Sequence, residues 1–352
     1  MQRLFTLKLS KNKTGIAYLT AGSFLVAAVL LGISIGTVFV PIDAILRIIG
    51  TDILRLPMGN ADPMYTSIVL NIRLPRVVLA GLVGASLAIA GAAFQGLLRN
   101  PLADPYTLGV SSGASVGAVL TLYFHLALPV VGIYTLPLLS ILASFTTILL
   151  VVWFARKIDR FMKVETVILT GIIFSSFLGA FISLMIALAD EELMQIIGWL
   201  LGSVSARGWE YVGIIAPFTV IGSAVMMICA RDLDAMSFGE EQARHLGVNV
   251  QRKKLLILIA GSILTGAAVS VSGTIGFIGL VIPHLTRRLW GANHKHLLPL
   301  SVLTGGGFLV LADLVSRTVI APTELPIGVI TALIGAPAFA AILLRRRRER
   351  RG

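Results

Sequence analysis

RLPRVVLAGLVGASLAIAGAAFQGLLRNPLADPYTLGVSSGAS, residues 73–115, holds about 22 uncharged residues between Arg76 and Arg99, enough for one bilayer crossing at roughly 1.5 Å per residue. Gly81, Gly84, Ala85, Ser86, Ala88, Ala90, Gly91, Ala92 and Ala93 leave this span little side chain for lipid to touch, so it is expected to pack against other helices or line a path. The run stops at Asn100-Pro101-Leu102-Ala103-Asp104-Pro105, where two prolines break the helix and force a tight reversal. Gly109, Ser111, Ser112 and Gly113 then lead back into apolar sequence.

The rest of the chain has the same character. Of 352 residues 56% are hydrophobic and only 13% charged, and the mean hydropathy is +0.92. A water-soluble globule carries about a quarter of its residues charged, so the composition excludes one and gives an all-α polytopic membrane protein. A single cysteine, Cys229, excludes an internal disulfide and a cysteine metal cluster. The basic start with Lys8, Lys11 and Lys13 precedes an apolar run too long for a signal-peptide core, and reads as a retained first span.

Apolar runs between charged or Pro/Gly breaks predict about ten transmembrane helices, near 15–38, 77–98, 107–124, 134–154, 166–189, 209–230, 255–273, 275–286, 297–316 and 326–344. The seventh and eighth run together through Ser272-Gly273-Thr274. With a cytoplasmic N-terminus, the inner segments hold 23 of the 29 Lys and Arg, as the positive-inside rule requires, and both ends of the chain are expected in the cytoplasm. The net charge of +12 follows from that bias. Nucleic-acid binding explains it poorly, because the basic residues are scattered over inner loops.

A shift of 182 residues places Gly84 on Gly266, Ala85 on Ala267, Gly91 on Gly273, Leu98 on Leu280, Pro101 on Pro283 and Gly109 on Gly291. Read as a repeat, it divides the single transmembrane domain 1–352 into halves of about five spans each, near 1–190 and 191–352. An odd number of spans puts the halves in opposite orientation, the inverted-topology plan of many transporters. Chance identity between two Gly/Ala-rich helices is the competing account.

The longest hydrophilic interruption on the inner side, 231–248, alternates short helical pieces around Gly239 and Gly247. Leu233 and Met236 sit three apart, as do Ala243 and Leu246, so each piece carries one apolar stripe. That stripe is either a docking surface or the underside of a loop folded on its own membrane domain.

Several blocks together resemble the FecCD-type permeases of iron–siderophore and cobalamin ABC importers. They are the 73–115 stretch, GWLLGSV at 198–204, SFGEEQARHLGV at 237–248, SGTIGFIGLVIPHLTRRLWG at 272–291, ADLVSR at 312–317 and ELPIGVITALIGAPAFAAILL at 324–344. The resemblance covers nearly the whole chain. It implies a ten-span subunit of the bacterial inner membrane, paired with a second permease subunit, identical or homologous. Two ATP-binding subunits would dock inside and an extracytoplasmic substrate-binding protein outside. No G-x-x-x-x-G-K-[ST] phosphate loop occurs, so the ATPase is expected to be another polypeptide and this chain a non-enzymatic subunit.

By resemblance, 233–248 forms the ATPase-coupling helices, with Leu233, Met236, Phe238, Gly239, Glu240, Ala243, Leu246 and Gly247 as contact and hinge residues. Asn100, Pro101 and Leu102 match the family's cytoplasmic gate. Val164, Glu165 and Thr166 fall at a corresponding place, but Glu165 departs from the small hydroxyl residue implied there and reads as interfacial beside Arg160 and Lys163. Arg73, Arg76 and Arg317 lie on the outer side, where positive charge is depleted. On their own they anchor helix ends among lipid headgroups; the resemblance implies that they face glutamates of the binding protein.

Other residues carry less. His294 and His296 lack a nearby carboxylate or thiolate in sequence and are expected in an inner loop rather than in a metal site. His284 follows Pro283 at an expected helix break and satisfies freed backbone groups. Asp190, Glu191 and Glu192 precede a short amphipathic segment ending in Trp199, read as a surface helix. A membrane enzyme would need a clustered acid, base, nucleophile or metal, and an ion-coupled transporter would need ionisable groups mid-span; the spans offer Asp313 near an outer end. No cofactor is expected. Ferric siderophore is the cargo expected from family frequency, with cobalamin or haem as alternatives and an ion-coupled secondary transporter as the rival class.

Overall fold

The structure is a computed structural model that describes residues 11–57, 59 and 62–349. The basic residues of 1–10 and 350–352, counted above for orientation, lie outside the described residues. Among those described the chain is helix and turn, with no strand.

In chain order the helices are α1 (Lys11–Ser34), α2 (Ile42–Ile48), α3 (Pro63–Ser67), α4 (Leu74–Leu97), α5 (Val110–Tyr123), α6 (Thr135–Ile158), α7 (Val164–Leu188) and α8 (Leu193–Leu200). Then follow α9 (Trp209–Ile228), α10 (Ala230–Ser237), α11 (Glu240–His245), α12 (Val250–Ser272), α13 (Ile278–Trp290), α14 (His294–Thr318) and α15 (Ile327–Glu349). Seven stretches are long and apolar enough to cross a membrane: 13–34, 63–97, 132–158, 164–188, 209–228, 250–272 and 294–318. The remaining three expected spans are shorter: Val110–Tyr123, Ile327–Ala341 and the 13-residue α13.

The decisive helix starts earlier than its sequence suggests. Asp62 caps α3 through the backbone N–H of Met64, at 2.8 Å, with Pro63 in the first turn. The chain then passes through a wide π-turn at Ile68–Arg73 into α4, giving one continuous helix of 35 residues. Pro75 supplies no N–H to the turn before it, and the wider turn absorbs that missing donor.

Small residues let α4 approach its neighbours backbone to backbone. A Cβ on Gly84 would stand 2.2 Å from the carbonyl oxygen of Gly305 in α14, and one on Gly91 would stand 2.0 Å from that of Gly279 in α13. The most apolar stretch of the 63–97 helix is 83% buried, against 11% for α7. Two apolar cores flank the middle of α4, one around Leu79, Val83 and Leu87, the other around Ile89, Phe94 and Leu97.

The break between α12 and α13 is real, but it does not lie at Pro283, which sits inside α13. It lies at 273–277, where Gly273 (φ +69°) and Phe277 (φ +68°) bracket an extended segment. Such backbone inside a membrane protein must find protein partners. Here the Ser272 carbonyl accepts from Ser203 N–H at 2.7 Å, Ile275 N–H donates to the Tyr106 hydroxyl at 2.8 Å, and Thr274 Oγ1 donates to the Leu200 carbonyl. The 182-residue shift therefore sets a turn, at Pro101, against a helix interior, at Pro283.

Candidate functional site

The 98–109 reversal is built from local chemistry. Asn100 N–H reaches back to the Gln95 carbonyl (3.2 Å), and Asn100 Oδ1 accepts from Leu102 N–H (2.9 Å), which fixes the turn. Asp104 then caps a short 3-10 turn at Pro105–Leu108, and Gly109 takes the left-handed conformation (φ +80°) that swings the chain into α5. Burial pushes the Asp104 carboxyl up to about 6, opposed by its bond from Tyr106 N–H. Leu102, the expected gate residue, is 44% exposed; Asn100 and Pro101 are half-buried.

The same end of the molecule carries α10 and α11. Leu233, Met236 and Ala243 are buried against their own membrane domain, in the core that includes Phe94 and Leu97. Of the two readings of the Leu233/Met236 stripe, burial favours the underside of a loop folded on its own domain: an amphipathic helix at a membrane face buries its apolar side inward first. Phe238 (71% exposed) and Leu246 (70%) are the apolar side chains that project. Gly239 and Gly247 do stand at turns that need positive φ, +123° and +84°. The pieces are clamped by ion pairs: Asp232 to Lys253 at 2.7 Å, and Glu240 to the buried Lys254 at 2.5 Å. Lys254 Nζ also donates to the Met162 carbonyl (2.9 Å).

Arg99, at the start of the 98–109 reversal, and α11 share a cleft of about 410 Å³, lined also by Phe161, Lys163, Val164, Glu165, Glu240 and Arg244. Glu165 is exposed in it, as an interfacial residue would be. The guanidinium of Arg244 lies over the Phe161 ring at 5.7 Å.

Arg73, Arg76 and Arg317 come together at the opposite end, but not as an exposed rim. Arg73 is 5% exposed and donates to the carbonyls of Ile33 (2.6 Å), Ser34 (2.8 Å) and Val38. Arg317 donates to the Gly32 carbonyl and sits 3.8 Å from Asp313. Both cations thus serve the orphan carbonyls at the C-terminus of α1, where the helix dipole favours positive charge. Arg76, 8% exposed, forms a bidentate fork on Asp313 (2.9–3.1 Å) and a second on Glu324 (2.8 and 3.0 Å). The hydrogen bonds from Arg76 hold the Glu324 carboxyl below the usual glutamate range.

Sequence reasoning missed the partners. Asp313, Glu324 and Asp234 meet their cation or imidazole across 237, 248 and 60 residues, too far for spacing along the chain to pair them. His294 does have a carboxylate: its ring Nδ1 lies 2.6 Å from Asp234 Oδ1. His296 meets the Tyr18 hydroxyl at 3.2 Å. His284 is buried with its ring against Phe339, edge to face at 6.4 Å. Among the described residues no three His, Cys, Asp or Glu gather as metal ligands would. Asp190 and Glu191 are exposed ahead of α8, which turns Ile196 and Trp199 inward.

What this arrangement can do is mechanical. A close-packed helix of small residues joins a rigid charge cluster at one end to a turn and a clamped surface segment at the other.

Comparison with known proteins gives this arrangement a context. The profile described as the FecCD transport family matches residues 24–345. The chain is 59% identical over 348 residues, 99% of each chain, to the uncharacterized ABC transporter permease protein YvrB of Bacillus subtilis. It is 44% identical over 280 residues, 79% of this chain and 74% of the relative, to the cobalamin import system permease protein BtuC of Halobacterium salinarum. A solved structure described as an ABC transporter of metal-chelate type in an inward-facing conformation superposes with a TM-score of 0.82 at 32% identity, covering 94% of this chain and 99% of that one.

Proposed function

We propose, since this chain belongs to the FecCD transport family of ABC importer permeases, that it pairs with a second permease subunit, identical or homologous, around the path of a ferric siderophore. ATP is hydrolysed by separate subunits docked on α10 and α11. An extracytoplasmic binding protein delivers cargo at the rim that Arg73, Arg76 and Arg317 organise, and the basic end with both termini faces the cytoplasm. The observation that carries the reading is the buried, small-residue α4, which ends in the 98–102 turn beside a clamped surface segment with Phe238 and Leu246 projecting. Inverted halves near 1–190 and 191–352 are supported by reciprocal packing: α4 packs on α12, α13 and α14, as α12 packs on α4, α5 and α6. Cobalamin is the second reading, favoured by the 44% identical relative.

The test is to purify the assembled transporter and screen its binding protein against a ferric siderophore, haem and cobalamin. ATP-dependent uptake of the siderophore is expected; uptake of cobalamin alone selects the second reading, and a chain that associates with no ATPase defeats both.

Two variants probe the inner face. Gly239→Val combined with Gly247→Val strains both positive-φ turns, and roughly tenfold loss of uptake is expected with membrane insertion and ATP hydrolysis retained. Unchanged uptake would remove this segment from coupling. Leu102→Cys in a Cys229→Ser background is expected to cross-link across the subunit axis, to its counterpart in an identical partner or to a cysteine placed at the equivalent position of a homologous one, and to block uptake. Efficient cross-linking with normal transport would place the turn away from the gate.

A further inference from the structure

We infer that His294 is a positioning residue: with Asp234 it forms a strut that carries displacement of α10 and α11 to the end of α4 and so to the 98–102 turn. The inference rests on the coupling role proposed above for that segment. It is built on three contacts that join three helices at one point.

One carboxylate oxygen, Asp234 Oδ1 on α10, accepts both the backbone N–H of His294 (2.9 Å) and its ring Nδ1–H (2.6 Å). His294 is the first residue of the 25-residue α14, so the carboxylate also sits at the positive end of that helix. Two bonds and a helix dipole fix the imidazole to α10 more firmly than one exposed ion pair would. The His294 side chain is 4% exposed.

Its far edge meets α4. Nε2 has no hydrogen-bond partner and faces Gly96, where an added Cβ would stand 2.3 Å away. Gly96 is one residue from the end of α4, and its carbonyl accepts Arg99 N–H (3.3 Å), while the neighbouring Gln95 carbonyl accepts Asn100 N–H (3.2 Å). A push on the imidazole therefore bears on the two peptide groups from which the gate turn hangs. Close-packed interiors transmit such a displacement rather than absorb it. The other side of α4 is held independently, since Gln95 Nε2 donates to the carbonyls of Gly279 (3.2 Å) and Leu280 (3.1 Å) on α13. The turn can thus pivot about α13 when α10 moves.

The test uses the complete transporter with its ATPase, carrying Leu102→Cys in the Cys229→Ser background, and reads two quantities. These are ATP hydrolysis and the change in labelling of the cysteine by a water-soluble maleimide when ATP is trapped with vanadate. With His294→Ala, hydrolysis is expected to stay within about twofold while the vanadate-dependent labelling change falls about fivefold or more. His294→Asn keeps a donor for Asp234 but withdraws the ring from Gly96; the same loss is expected, in a variant that disturbs folding less. Combining His294→Ala with Gly96→Ser refills the contact from the other side and is expected to restore the response. A labelling change that persists in His294→Ala or His294→Asn, that is already missing in the unaltered strut, or a His294→Asn chain that fails to assemble, overturns the strut. Absence of any ATPase association in the parent chain instead overturns the coupling role beneath it.

Discussion

Replacing Asp313 with alanine is expected to lower the stability of the folded chain by ~3–5 kcal/mol, because the Arg76 guanidinium would remain as a buried charge stripped of its main partner. Asp313 is wholly buried and takes three of the five hydrogen bonds that Arg76 makes to carboxylates. Arg76→Ala is expected to cost less, since Asp313 keeps Arg317 at 3.8 Å. The double variant Arg76→Leu/Asp313→Leu should recover part of the loss, since the two charges leave together while Arg317 keeps the Gly32 carbonyl and Glu324 its partly exposed position. Thermal unfolding of the detergent-purified chain decides the matter: an unchanged midpoint for Asp313→Ala would show that the pair contributes nothing.

Glu324 adds a pH term of known sign. Its folded-state carboxyl is held below the usual range by hydrogen bonds from Arg76, so its contribution is complete above the ordinary glutamate value of about 4.3 and fades as pH falls through the lower folded one. The cluster should hold through neutral pH and loosen in acid.

Gly91→Val is expected to abolish accumulation of folded chain. The added Cβ would stand 2.0 Å from the Gly279 carbonyl oxygen and 2.5 Å from its carbonyl carbon and Cα, all of them backbone, so no side chain can swing aside and α4 must part from α13. Overpacking that flexible neighbours can absorb costs ~1–3 kcal/mol; a backbone-to-backbone collision lies beyond that range. Gly22→Val is the matched control, since a Cβ there meets nothing within 4 Å. Equal amounts of protease-resistant, membrane-inserted Gly91→Val and Gly22→Val would show that the α4–α13 approach is not required.

How much of this could be read from the chain depended on sequence distance. The 98–109 reversal was legible because Pro101, Asp104, Pro105 and Gly109 each dictate local backbone. The start of the same helix was not: polar Asn71, Arg73 and Pro75 look like an end, and only a widened turn keeps the helix going to Pro63. Pro283 misled in the opposite way, because the neighbouring break is made by Gly273 and Phe277 and held by Ser203, Leu200 and Tyr106 from distant segments. The three arginines were singled out correctly as unusual, yet their exposure was misjudged, since Asp313 and Glu324 lie 237 and 248 residues from Arg76. Likewise the periodicity of α10 gives an apolar stripe but not the direction it faces, and burial of Leu233 and Met236 settles that direction inward.

The unequal helix lengths have a consequence for the surrounding bilayer. α7 spans 25 residues, roughly 37 Å, long enough to cross a hydrocarbon slab about 30 Å thick, whereas α5 with 14 residues, roughly 21 Å, falls short of it. A helix that short, if it touched acyl chains, would thin the membrane around it at a cost for every ångström of mismatch. Enclosed by α6, α7 and α12, it is released from that constraint. Membrane thickness therefore acts through the long helices that reach the bilayer, while the reversal between α4 and α5 is held by its own hydrogen bonds. The machinery inside can keep one geometry in lipids of different chain length.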